Sequence, residues 1–117
     1  MTIYHIATVA DWEKAKADGE YRISTKGRTL DEQGYIHASD LHQVLIVADF
    51  VYRDDDAGDL VLLEIDPEKL GEGVELRYED VPGSPDPFPH IFGPITPDAV
   101  TGIRLLHKDD DGKFSLT

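Results

Sequence analysis

The sequence predicts a single α+β domain in which two main helices pack on a bent, mostly antiparallel, split sheet. Three observations predict this class. A short apolar segment is followed by a helical pattern twice in the first half of the chain, whereas every later segment has the pattern of a strand. The 117 residues, 40% of them hydrophobic, are enough for one core and too few for two. Early helices and late strands favour segregated layers over a doubly wound sheet, so residues 1–117 are expected to form one domain.

The first strand is predicted over Ile3–Ala7 and the first helix over Val9–Asp18. Thr8 and Asp11 form a Thr-x-x-Asp capping pattern at the start of the helix, and Gly19 follows its end. A strand that leads directly into a helix is therefore expected at the N-terminus.

A second strand–helix unit is predicted after a polar stretch. Residues from Glu20 to Gln33 show neither a helical nor a strand period, so we expect a surface loop there. After Gly34, the segment Tyr35–Ala38 predicts a short strand. Ser39 is expected to be the N-cap of the second helix, in which apolar residues recur at three- and four-residue intervals as far as Tyr52.

The remaining elements are predicted to be strands. Leu60–Asp66 is an almost continuous apolar run, which predicts a central strand buried on both faces, with Glu64 as the exception. The proline-rich stretch Asp80–Pro89 is expected to be a loop. Further strands are predicted at Val74–Tyr78, Val100–His107 and Phe114–Leu116, the last two joined by an Asp-Gly hairpin turn.

Composition narrows the classes of partner. The formal net charge of -13 disfavours nucleic acid, because affinity for phosphate backbones comes largely from Lys and Arg. No apolar run approaches the roughly 20 residues that cross a bilayer, and the N-terminus does not have the pattern of a signal peptide, so a cytoplasmic protein without a membrane partner is expected. The absence of cysteine fits a reducing compartment and excludes thiolate chemistry. A small-molecule ligand is the expected partner.

Three histidines mark the candidate site. His5 lies in the middle of the first strand, His37 directly precedes a helix N-terminus, and His90 lies between prolines and aromatic residues. A polar side chain in an apolar or rigid setting costs free energy unless it is paired or used, and one shared cleft explains all three. Each could instead be a buried, hydrogen-bonded structural residue. The expected ligand-binding residues are His90, Tyr35, Ser39 and Arg22.

No common enzyme motif is present, neither a phosphate-binding glycine loop, nor a dinucleotide fingerprint, nor a nucleophile elbow. Glu64 is a candidate base or stabiliser of positive charge, although its position near a strand end also fits simple solvation. A metal site built from the three histidines is an alternative, but their spacing lacks the regularity of zinc motifs, and no metal is expected.

The chain resembles the family called domain of unknown function 952. The resemblance covers nearly all of the chain to about Leu106. It rests on four segments in family order: Ile3-Tyr4-His5-Ile6, Gly34-Tyr35-Ile36-His37-Ala38-Ser39, Leu60-Val61-Leu62-Leu63-Glu64-Ile65-Asp66 and Phe88-Pro89-His90-Ile91-Phe92-Gly93-Pro94-Ile95.

The resemblance implies a fold like that of ADP-ribosyltransferases, in which a split sheet bends around a cleft that holds NAD, and a distant relation to RNA 2'-phosphotransferases. His5 and His37 would then line the nicotinamide-ribose side of the cleft, with Glu64 as the third catalytic candidate. NAD or an ADP-ribose compound is the ligand implied, as a substrate. Two alternatives remain open: a non-catalytic ligand-binding or interaction module, and a His-ligated metal protein.

Overall fold

A computed structural model describes residues 1–116, which form nine strands and three α-helices in this range. The strands are β1 (Ile3–Thr8), β2 (Ile23–Thr25), β3 (Arg28–Thr29), β4 (Ile36–His37), β5 (Leu60–Ile65), β6 (Glu75–Glu79), β7 (Phe88–Phe92), β8 (Val100–Lys108) and β9 (Phe114–Leu116). The helices are α1 (Val9–Asp18), α2 (Leu30–Gln33) and α3 (Leu41–Val51).

The strands form a split, antiparallel arrangement. A four-stranded sheet has the order β1-β5-β8-β9, a three-stranded sheet has the order β4-β7-β6, and β2 and β3 form a hairpin. Every strand pair is antiparallel. The two larger sheets meet where Tyr4 and Ser39 exchange main-chain hydrogen bonds of 2.8 and 2.7 Å. The α+β class and the antiparallel, split sheet are thus confirmed, with the short helix α2 in addition to the two main ones.

Strand β5 is the centre of the core. Leu62 and Leu63 are both fully buried but point to opposite faces of the sheet, because side chains alternate along a strand. Leu62 packs in the cluster beneath α3 with Val44, whereas Leu63 packs in the cluster that contains Trp12 of α1. Because its side chains enter both clusters, β5 joins the two halves of the core. Burying each leucine contributes about 1.5–3 kcal/mol.

The helix boundaries follow local hydrogen bonding. The Thr8 side chain accepts a hydrogen bond of 3.0 Å from the Asp11 amide, as the capping pattern predicts. The expected N-cap of the second main helix was wrong by one residue, because the main chain of Ser39 is engaged with Tyr4 and Asp40 takes the N-cap position. In residues 1–116 no helix is both long and apolar enough to span a membrane.

The expectation of a loop over Glu20–Gln33 was wrong. This stretch contains the β2–β3 hairpin and α2, which begins with a capping box between Thr29 and Glu32. The side chain of Tyr21 is 1% exposed, and its main chain pairs with Ile95. Elements of two to four residues are too short to show a period, which is why the pattern looked irregular.

The expected loop over Asp80–Pro89 ends earlier than predicted. Phe88–Phe92 forms β7, the central strand of the three-stranded sheet. Pro89 cannot donate a hydrogen bond, but its carbonyl accepts one of 3.0 Å from the Ala38 amide. His90 therefore lies in a rigid strand and not in a loop.

Candidate functional site

The face of the three-stranded sheet that is turned away from the core of Ile36 and Ile91 carries aromatic and histidine side chains. His37 on β4 and His90 on β7 are direct cross-strand partners, and their ring centroids lie 5.4 Å apart. Phe88 is two residues before His90, so its side chain lies on the same face. The opposite face of this sheet contributes Ile36 and Ile91 to the core. The strand pairing thus brings together two histidines that are 53 residues apart in the sequence.

His5 is hydrogen-bonded at both ring nitrogens. Nδ1 lies 2.5 Å from the main-chain oxygen of His37, and Nε2 lies 2.8 Å from the hydroxyl oxygen of Tyr21. A carbonyl oxygen only accepts, so Nδ1 carries the proton and Nε2 accepts the hydrogen bond that the Tyr21 hydroxyl donates. Burial lowers the pKa of His5 to about 4, which keeps the ring neutral at pH 7. His5 therefore positions the main chain of His37.

His90 is held by a carboxylate that the sequence analysis missed. Its side chain is 3% exposed, and Nδ1 lies 2.7 Å from Oε1 of Glu79 on β6. One face of the ring stacks on Tyr35, with centroids 4.0 Å apart. Within residues 1–116 the other ring nitrogen, Nε2, has no hydrogen-bond partner. Glu79 could not be identified from the sequence, because its position beside His90 depends on the register between β6 and β7.

His37 is the histidine that faces the cleft. Its ring is half-buried between His90 and Phe88, whose ring centroid is 5.1 Å away. Burial, with smaller contributions from His90 and His5, lowers the pKa of His37 to about 4. No side chain or main-chain group of residues 1–116 forms a hydrogen bond with this ring. At pH 7 His37 is therefore a neutral imidazole whose nitrogens are open to a ligand.

Two arms of a cleft meet at His37. The polar arm has a volume of about 240 Å³ and the apolar arm about 300 Å³. Val51 on α3 also lines both arms. The other residues of the polar arm are Ser24, Thr25, Arg28, Gln33 and Tyr35. The apolar arm is further lined by Ile46, Val47, Phe50, Val81, Pro82, Gly83, Ser84 and Phe88.

A much smaller recess, the niche, lies at the inner end of the polar arm. Its volume is about 10 Å³, and it shares Ser24, Thr25 and His37 with that arm. Its lining also contains Ser39 and His5. The predicted residues His5, His37, Tyr35 and Ser39 thus lie around one connected cleft, and His90 lies directly behind His37 and Tyr35.

The structure does not bring Arg22 to this cleft. Its guanidinium lies 2.7 Å from Asp31 and 3.4 Å from Glu20, and it lines a separate depression beside α1. Arg28, on the next strand, is the basic residue that lines the polar arm. Both arginines lie in one polar stretch of the sequence. Only the fold of the β2–β3 hairpin determines that Arg28 lines the cleft and Arg22 does not.

Glu64 lies on the other face of the large sheet. It is the cross-strand partner of Tyr4 and not of His5, so its side chain points away from the His5 side. Its carboxylate lies over Gly102 of β8, at the place where a larger residue would have its Cβ atom. Glu64 is therefore not within reach of the three histidines. Residues 1–116 contain no group of three or more His, Asp or Glu side chains that could hold a metal ion.

Comparison with known proteins agrees with the resemblance seen in the sequence. The sequence model of the family described as protein of unknown function (DUF952) matches residues 6–103. The chain belongs to the DUF952 family. The crystal structure of protein CC0527 from Caulobacter crescentus is similar to this DUF952 chain, with 33% sequence identity and a TM-score of 0.81. The match covers 98% of this chain and 94% of that one.

A double mutant of CC0527 gives the same TM-score of 0.81 with 32% identity over the same shares of the two chains. No curated protein matches this DUF952 chain significantly. The family and the fold are thus shown.

Proposed function

We propose that this DUF952 protein is an ADP-ribosyltransferase-like domain that binds NAD or a related ADP-ribose compound in the cleft centred on His37. The observation that carries the proposal is the position of His37, a neutral and partly exposed imidazole at the junction of a polar and an apolar arm. A dinucleotide contains ribose hydroxyls, a pyrophosphate and flat aromatic rings. Each of these groups has a counterpart in the lining of the cleft.

The ribose hydroxyls match His37. A neutral imidazole accepts a hydrogen bond at one nitrogen and donates one at the other, so either nitrogen can pair with a ribose hydroxyl, which both donates and accepts. The ring is fixed from behind by His90 and Phe88, and its main chain is fixed by His5. A pre-positioned ring loses little entropy on binding, so each hydrogen bond retains more of its free energy.

The pyrophosphate matches Arg28 in the polar arm. Arginine binds phosphate oxygens through two parallel N–H groups, and its local charge offsets the acidic surroundings. One guanidinium nitrogen, Nη1, lies 3.3 Å from the side-chain oxygen of Gln33, which leaves further donors on the same group. Lys26 in the same hairpin is paired with Asp55 at 2.8 Å.

An aromatic ring of the ligand matches the apolar arm. Phe88 lies at its inner end next to His37, and Phe50 at its outer end is 81% exposed. Stacking of a flat ring on such side chains is favourable, and a ligand would cover apolar surface that otherwise contacts water. Each arm alone is at or below the lower end of the size range of small-molecule sites, so a ligand with two moieties fits best.

A non-catalytic binding module is the second candidate function. It is favoured because His5 is hydrogen-bonded to Tyr21 and His90 to Glu79. Of these three histidines, His37 is then the one available to a ligand. Such a module would bind the same compounds without breaking the bond to nicotinamide.

The two candidates are separated by calorimetric titration with NAD and ADP-ribose, followed by an assay of nicotinamide release. We expect both ligands to bind the wild type, and His37→Ala to weaken binding at least tenfold, since a hydrogen bond to a ligand contributes about 1.5 kcal/mol. His107→Ala, at an exposed position of β8 that lines neither arm, is the matched control and should change affinity less than twofold. Binding without nicotinamide release supports the module, and release supports the transferase.

Two further variants test the assignment of the arms. Arg28→Gln should weaken the binding of NAD while leaving the binding of nicotinamide riboside, which has no phosphate, unchanged. Phe50→Ser should weaken the binding of both. Unaltered affinity for NAD in His37→Ala, or failure of folded wild-type protein to bind either ligand, would overturn the proposal.

A further inference from the structure

Ser24 presents a buried hydroxyl to the niche. The residue is 0% exposed on β2, and within residues 1–116 its Oγ atom has no hydrogen-bond partner. A buried hydroxyl without a partner costs free energy and is uncommon in folded proteins. Its neighbour in the lining is His37, whose ring is likewise without a hydrogen bond from the described chain. Two polar groups that lack partners thus face one small space.

The niche has the size and lining of a water site. A space of about 10 Å³ is close to the smallest that holds one water molecule, and such a molecule needs two to four polar partners. Ser24, Thr25, Ser39 and His37 all contribute to the lining. These side chains supply enough polar partners for one water molecule, although Ile6 and Val47 also line the niche.

We propose that the niche binds one ordered water molecule, which Ser24 holds against His37 and which is the acceptor when the glycosidic bond of a ligand in the cleft is broken. The water site follows from the niche alone. The role of acceptor rests on the proposed function, because it requires an ADP-ribose compound with a cleavable bond in the polar arm.

The reaction is then hydrolysis. The water oxygen forms a bond to the ribose C1′ atom while the bond from C1′ to the nicotinamide nitrogen breaks, and the electron pair of that bond neutralises the pyridinium ring. His37, which is neutral at pH 7, accepts a hydrogen bond from the attacking water, and the proton that the water loses passes to the solvent. The products are ADP-ribose, nicotinamide and a proton. His37 is a direct participant in this step, and Ser24 is a positioning residue that acts through the water.

The water site is tested first on the free protein. Oxygen-17 magnetic relaxation dispersion counts internal water molecules, and Ser24→Val removes the hydroxyl and fills the niche. We expect the wild type to have one more long-lived water than Ser24→Val, and a high-resolution crystal structure to show it within hydrogen-bond distance of Ser24 Oγ. Equal counts in folded protein would overturn the proposal. If the valine variant does not fold, Ser24→Thr fills the niche with a methyl group while keeping a hydroxyl and should lack the same water.

The acceptor role is tested by nicotinamide release from NAD without any added acceptor. Wild-type protein should form ADP-ribose and nicotinamide in equal amounts. At saturating NAD, which removes any difference in affinity, Ser24→Val and Ser24→Ala should release nicotinamide at least tenfold more slowly than the wild type. Ser115→Ala, at an exposed position of β9, is the matched control and should react as the wild type does.

The possible failures are distinct. Wild-type protein that does not bind NAD overturns the proposed function and the acceptor role together, while the relaxation experiment still decides the water site. Wild-type protein that binds NAD without releasing nicotinamide overturns the acceptor role alone. Release of nicotinamide at the wild-type rate by both Ser24 variants would also overturn the acceptor role alone.

Discussion

Acidification should destabilise the fold through its two neutral histidines. His5 and His37 both have a pKa lowered from 6.5 to about 4, chiefly by burial. Between these two values the unfolded chain binds protons that the folded protein excludes. The free energy of unfolding therefore rises with pH in this window, and the stability is lost as the pH falls from 6.5 towards 4.

The magnitude follows from the two pKa values. A histidine with a pKa of 6.5 when unfolded and about 4 when folded lowers the free energy of unfolding by about 2 kcal/mol between pH 7 and pH 5. The two histidines together should lower it by about 4 kcal/mol. That is a large part of the roughly 5–15 kcal/mol that stabilises a typical domain.

Urea denaturation at pH 7 and pH 5 measures this difference. His37→Gln removes one of the two groups, so the loss of stability on acidification should fall from about 4 to about 2 kcal/mol. His107→Gln removes an exposed imidazole from β8 and is the matched control. An equal loss of stability in His37→Gln and in the wild type between the two pH values would show that His37 is not a source of the pH dependence.

Three further predictions concern stability at pH 7. Tyr21→Phe removes the hydroxyl that donates to His5 and should lower the free energy of unfolding by about 1–3 kcal/mol, measured by thermal unfolding with the exposed Tyr78→Phe as control; no change would contradict the hydrogen bond. Gly93→Ala should lower the free energy of unfolding by about 1–3 kcal/mol, because its Cβ atom would lie 2.7 Å from Val74. Gly102→Ala should lower it less, because only the flexible end of Glu64 has to move. Urea denaturation compares the two variants, and the reverse order would contradict this packing. Leu63→Ala should cost about 2–5 kcal/mol in the same assay, and a loss below 1 kcal/mol would be inconsistent with a buried central strand.

The parts of the fold that the sequence predicted are those with a long or repeated pattern. The apolar run of β5 and the helical spacing in α3 each extend over at least six residues, so the local preference and the final burial agree. The capping pattern at Thr8 could also be recognised in the sequence, because Thr8 and Asp11, which interact, are only three positions apart.

The parts that the sequence did not predict depend on tertiary pairing. Strands β2 and β3 have only three and two residues, and their conformation is set by tertiary pairing rather than by a local pattern. Phe88–Phe92 contains a proline, which disfavours a central strand, yet the Pro89 carbonyl is used by Ala38. Such pairings leave no periodic signal in the chain.

The residues of the candidate site also divide into those that the sequence identified and those that only the tertiary pairing reveals. The histidines were recognised because each is a polar residue in an apolar or rigid setting. Glu79, Ser24 and Arg28 were missed because each lies in an ordinary polar stretch, and only the strand register places it beside a histidine or in the cleft. Glu64 attracted attention for being polar in an apolar run, but the alternation of side chains directs it to the other face of the sheet.

The central claim is that NAD binds in the cleft around His37. The most direct test is a titration of isotope-labelled protein with NAD, in which the imidazole nitrogen and amide resonances are followed by nuclear magnetic resonance. The largest shifts are expected at the His37 ring and at residues of the two arms, such as Thr25 and Phe88, while Glu64 and Arg22 should be little affected. Shifts confined to the face that carries Glu64, or no shifts at millimolar NAD, would contradict it.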